Sequence, residues 1–174
     1  RARDRVQQIV ARDHEDPKAI GILDDSGHPK SGKKTPGVQW QYCGRLGKTA
    51  NCVVTVQLAF SSYDTRFRTM LDTELFLPES WSNDRERCRQ AGIPDHVVYR
   101  PKHAIALELL DRAQANGVHL EWINADIWYS EKPDFLAGLE QRHYRYIVEI
   151  PRNLRGWLYD PGAHPRHPAR GVEE

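Results

Sequence analysis

The apolar pattern changes period partway along the chain, and that change restricts the fold more than any single residue does. Before Pro101 the strand-like stretches alternate apolar and polar residues; after it apolar residues recur at helical spacing, interrupted by short apolar runs. Residues 38–43 (VQWQYC) alternate, GRLGK makes a turn, and NCVVTVQLAF alternates again, which predicts an antiparallel hairpin. TELFL at 73–77, ending at Pro78, predicts a further strand and so a three-stranded antiparallel meander. Upstream, Val6, Ile9 and Val10 predict a short helix over 4–13, and Pro17 breaks the pattern. AIGIL at 19–23 reads as a buried strand running into a loop at Asp24 and Asp25. Residues 84–91 are polar and of helical character.

Pro101 opens KHAIALELLDRAQANG, with Ile105, Leu109 and Ala113 on one stripe and Gly117 just past the end, a helix with the expected Pro-first, Gly-last punctuation. VHLEWINAD then predicts a strand ending at Asp126, Pro133 opens a second helix (DFLAGLEQRH), and YRYIVEI at 144–150 predicts a last strand. Strand–helix–strand units of this length pair in parallel through right-handed crossovers. The expected class is therefore α/β: a mixed sheet, antiparallel meander plus parallel strands, with flanking helices. The expected segments are an N-terminal helix over 1–16, a core over 17–153 and a Pro-rich tail or linker over 154–174.

A chain of 174 residues can bury one ordinary core. No apolar run approaches the ~20 residues needed to cross a bilayer. Three cysteines, an odd number without regular spacing, point to reduced thiols, and the reading is a soluble cytoplasmic protein. Cys43 and Cys52 straddle the hairpin turn, but four zinc ligands at suitable spacing are missing, so buried thiols are expected. The first residue is Arg1, not Met, which suggests a piece of a longer chain.

Two apolar runs end in acids, ILDD at 22–25 and INAD at 123–126. A carboxylate just past a buried strand stands at the carboxyl edge of the sheet, where sites in α/β folds collect. Converging carboxylates repel unless a cation lies between them, and hard oxygen ligands suit Mg²⁺ or Mn²⁺. The bland alternative is turn chemistry, since Asp25-Ser26-Gly27 is a turn former.

The formal charge of +1 conceals a local excess: Lys30, Lys33, Lys34, Arg45 and Lys48 lie between His28 and Lys48 with no acid among them. Such a run fits a polyanion, each cation adding salt-dependent affinity for phosphate, or else a solvated loop. Arg85, Arg87, Arg89 and Arg100 form a second basic region, diluted by Asp84, Glu86 and Asp95, and read as a solvated helix face. Trp40, Tyr42, Trp81 and Trp122 are open to base stacking or to core packing. Trp128 and Tyr129, just after Asp126, are the aromatic pair expected nearest a substrate.

Four blocks, ILDDSGHPKSGKKTPGVQWQYCGRLGKTANCVVTVQLAF, ELFLPESW, NADIWYS and YIVEIPRN, in this order resemble the DDE-superfamily transposases of bacterial insertion sequences over roughly residues 17–153. The resemblance implies a ribonuclease H-like core that cuts DNA with water and joins the freed 3′ hydroxyl to target DNA. It also implies two divalent metals held by Asp, Asp and Glu, DNA as partner and a homodimer on paired ends. The first acid matches Asp24, with Asp25 the alternative; the second matches Asp126. The third acid of the family lies on a helix beyond the strand ending in P-R-N, and the chain leaves the pattern at Asn153. Glu149 is a weak substitute, and Glu173 and Glu174 in the Pro-rich tail are poor candidates. By resemblance the expectation is an incomplete catalytic core with little nuclease activity of its own.

Overall fold

The computed structural model describes residues 2–156 and 170–171. In chain order the elements are α1 (Ala2–Asp13), β1 (Ile20–Pro29), β2 (Gln39–Cys43), a single 3₁₀ turn (Gly44–Leu46), β3 (Lys48–Ser61) and β4 (Arg68–Leu75). These are followed by α2 (Glu79–Ser82), α3 (Arg85–Gln90), α4 (Lys102–Ala115), β5 (Trp122–Ala125), α5 (Ile127–Ser130), α6 (Pro133–Gln141) and β6 (Arg145–Val148). A two-residue antiparallel pair, β7 (Arg155–Gly156) with β8 (Arg170–Gly171), falls inside the stretch expected to be linker.

Six strands form one mixed sheet. The 14-residue β3 is its spine: β1 pairs antiparallel with it from Ile20↔Ser61 to Pro29↔Cys52, β4 pairs along residues 55–61, and β2 takes residues 48–52. On the far side of β1, β5 and then β6 add in parallel. The expected mixed α/β class is what the chain adopts. One expectation fails in an instructive way. β1 does not stop at Asp24 but runs on through the turn-forming residues Asp25, Ser26 and Gly27 to Pro29. The ladder offered by β3 outweighs local preference, as tertiary context routinely does in strands.

Gly27 shows why this segment needs its glycine: a Cβ there would meet Cys43 Sγ at 2.8 Å and Cys43 Cα at 2.9 Å. Gly47, at φ +62, closes the 3₁₀ turn and lets the chain reverse into β3.

The main core lies between one face of the sheet (Leu23, Val56, Leu58, Phe60, Ile123) and the stripes of α4 (Ile105, Leu109, Leu110) and α6 (Phe135, Leu139). A second, smaller cluster gathers Val38, Val53, Leu77, Trp81, Cys88 and Ile93. There the Trp81 indole donates to the Val38 carbonyl at 2.7 Å, so Trp81 is a core anchor, not a stacking surface. Cys43, Cys52 and Cys88 are all buried and unbridged, and burial with the neighbouring Cys43 pushes the Cys52 thiol up to about 11. The opposite sheet face leaves Ile22 and Ile147 exposed beside Ile20 and Trp122 along an apolar groove of about 470 Å³. Among the described residues no helix is long and apolar enough to cross a membrane.

Candidate metal centre

The parallel registers align Leu23 with Ala125 and Ala125 with Val148. Asp24, Asp126 and Glu149 are each the next residue, so three neighbouring strands present an acid at one rim. The side-chain alternation of β1 separates the two acids that sequence reasoning left open. Asp24 shares the face of Ile20 and Ile22, whereas Asp25 shares that of Leu23, the face covered by helices.

The Asp24, Asp25 and Asp126 carboxylates each offer an oxygen within 4.8 Å of the others. Glu149, exposed and one strand further from Asp24, is not part of this group. Asp126 also caps α5, accepting from the backbone N–H of Trp128 at 3.1 Å and of Tyr129 at 3.4 Å. Asp24 accepts from the Asp25 N–H at 2.7 Å. Burial, and then repulsion from Asp126 and Asp25, hold the Asp24 carboxyl above the usual carboxylate range.

Lys102, the first residue of α4, points its ammonium at this group: Nζ donates to Asp25 Oδ2 at 2.6 Å. The same ammonium lies 4.1 Å from the centroid of the Trp128 ring, and Lys132 lies over that ring at 4.9 Å. Sequence reasoning missed Lys102, although a lysine in the first turn of a helix runs against the helix dipole and is itself a signal.

The aromatic pair corrects an expectation. Tyr129 is fully buried, so its ring offers no face to a DNA base, and Trp128 already carries two ammonium groups. What Tyr129 brings instead is a buried hydroxyl with no hydrogen-bond partner, held strongly in its protonated form by burial and by Asp25, Asp126 and Asp24. Trp40 and Tyr42 on β2 are exposed, at 72% and 66%.

Lys30, Lys33, Lys34, Arg45 and Lys48 are all exposed. Asn51 pins their loop by donating to the Lys30 and Gly32 carbonyls, at 2.7 and 2.9 Å. Lys33 and Lys34 meet Arg87 at a cleft of about 340 Å³, where Arg87 stacks on Trp81 at 3.7 Å and donates to the Lys33 carbonyl at 3.0 Å. Two other arginines of that region are structural, since Arg85 donates to the Pro94, Asp95 and Val97 carbonyls and Arg100 pairs with Glu108, whereas Arg89 is exposed and pairs with Glu86 on a solvated face. Asp72, a second buried acid, is taken up by Arg3, Gln7 and Arg112 and ties α1 and α4 to β4. Glu173 and Glu174 lie outside the described residues.

Comparison with known proteins gives the chain its family. The probable transposase for insertion sequence element IS701 of Microchaete diplosiphon is 35% identical over 135 residues, which cover 77% of this chain and 32% of that protein. The chain thus spans about a third of the length of that curated relative. A Drosophila P element transposase strand transfer complex aligns with 83% of this chain and 29% of the other, at 7% identity and a TM-score of 0.38. The family described as DDE superfamily endonuclease matches residues 1–173, extending past both ends of the four blocks, and the chain belongs to that family.

Proposed function

We propose that this chain is the cation-holding part of a transposase that cuts DNA and transfers the freed strand, with Asp24 and Asp126 as ligands of Mg²⁺ or Mn²⁺. The observation that carries the reading is the shared register: two acids 102 positions apart in sequence stand at equivalent places on adjacent parallel strands, with carboxylate oxygens within 4.8 Å. The donor set suits a hard divalent cation, and the unpartnered Tyr129 hydroxyl beside it leaves a polar group for a ligand shell to satisfy. When bound, such a cation supplies an activated water and charge neutralisation at a phosphate.

The protein's own groups do the rest of the work in this reading. Asp24 and Asp126 hold the ion at the rim. Lys30, Lys33, Lys34, Arg45 and Lys48 line up DNA phosphates, and Trp40 and Tyr42 offer exposed rings for unpaired bases. A homodimer on paired DNA ends belongs to the same reading. Titration of the protein with Mn²⁺, followed by the electron paramagnetic resonance of the free ion, tests the site. Asp24→Asn and Asp126→Asn should each weaken binding by tenfold or more, an order-of-magnitude expectation for losing one carboxylate ligand. Unchanged affinity in both variants overturns the assignment.

A further inference from the structure

Three carboxylates crowd the rim, yet one differs from the others in its partner. Asp25 faces the helix layer and is engaged by the Lys102 ammonium at 2.6 Å, and both side chains are about four-fifths buried (20% and 21% exposed). Lys102 is itself held by the Trp128 ring, at 4.1 Å. Among the described residues no such cation is bonded to Asp24 or Asp126, which accept from backbone N–H groups. The Tyr129 hydroxyl, fully buried and unpartnered, is within electrostatic reach of all three acids and independently points to a ligand there.

We propose that Lys102 is a positioning residue, a built-in counter-ion that keeps Asp25 out of the coordination sphere and so assigns the divalent cation to Asp24 and Asp126. This rests on the metal-site reading above. A third free carboxylate would bind the ion more tightly and draw it toward the helix layer. Pairing Asp25 with an ammonium leaves the ion at the open rim, where a DNA phosphate can reach it. The Trp128 ring fixes the lysine because a half-buried ammonium gains from an aromatic face as well as from a carboxylate.

A double-mutant cycle on Mn²⁺ affinity tests the idea on the full chain without any activity assay. Lys102→Met should tighten Mn²⁺ binding by about tenfold, because it frees Asp25. Asp25→Asn strips no ligand but leaves the Lys102 ammonium without its counter-charge, so it should weaken Mn²⁺ binding, and by less than Asp24→Asn does. In the double variant the gain from Lys102→Met should be smaller, because no carboxylate is freed. Lys102→Arg should behave as wild type. Thermal melting checks the fold of each variant, and Lys102→Gln replaces Lys102→Met where the latter is unfolded.

An equal gain from Lys102→Met with and without Asp25 would mean plain charge removal and would overturn the proposal. Asp25→Asn weakening Mn²⁺ as much as Asp24→Asn overturns it too, by making Asp25 a ligand. These outcomes differ from failure of the metal site, in which Asp24→Asn and Asp126→Asn leave affinity unchanged.

Discussion

At neutral pH Asp24 stands beside two other carboxylates, and its carboxyl is held above the ordinary value of 3.8, first by burial and then by its neighbours. Between 3.8 and that raised value the folded state holds a proton that the unfolded chain releases. Stability from this group is present at low pH and is lost as pH rises from 3.8 through the raised folded value. Without metal, Asp24→Asn should raise Tm at pH 7 by about 2–4 °C, the usual gain when a functional charge conflict is removed. Melting in a chelator checks this, and a fall in Tm would mean that the crowding carries no strain. Both acids of the proposed site were legible in the sequence because apolar runs end at them. The choice between Asp24 and Asp25 was not, since it depends on which face of β1 each side chain takes, and that requires knowing that the strand continues. Lys102 carried a faint trace in its unfavourable place at the start of α4.

Elements fare differently. Helices α4 and α6 were readable from their stripes and their prolines, and β5 and β6 from the short apolar runs that follow them. The far half of β1 was not, because Asp, Ser, Gly and Pro are local turn signals that a long neighbouring strand overrides. Also invisible was the tie between the α1–β1 junction and the β3–β4 turn. The buried Asp16 carboxylate accepts from Ser62 Oγ at 2.6 Å and from the N–H groups of Lys18, Tyr63 and Asp64 at 2.8, 2.7 and 3.1 Å. Chiefly the Ser62 hydroxyl, with these backbone donors, brings its pKa down to about 2. Its stabilising effect is complete above the unfolded value of 3.8 and is lost as pH falls toward 2. Asp16→Asn should lower Tm at pH 7 and flatten the acid limb of the stability curve between about pH 4 and 2. Parallel limbs in urea melts of the two proteins would show that the carboxylate does not hold these loops.

For the molecule as a whole, helices α4 and α6 and the main core lie on one face of the sheet, the opposite face keeps an apolar groove, and the basic loop projects beside the second core. With near-zero net charge and so local a cationic cluster, the proposed DNA binding rests on a few contacts rather than on the overall field. Lys33→Ala and Lys34→Ala should weaken binding to a DNA duplex nearly uniformly across sequences. Each should reduce the slope of log affinity against log salt by about one, as for any lysine on a phosphate. Fluorescence anisotropy at several salt concentrations measures this, and an unchanged slope in both variants removes the loop from the interface. The arrangement of strands has one more consequence, and it concerns timing. A ribosome that has made Asp24 must join 102 more residues before it reaches Asp126, since parallel partners must wait for the intervening crossover. A nascent chain that stalls short of that point has one half of the proposed ligand pair and lacks the strand that carries the other.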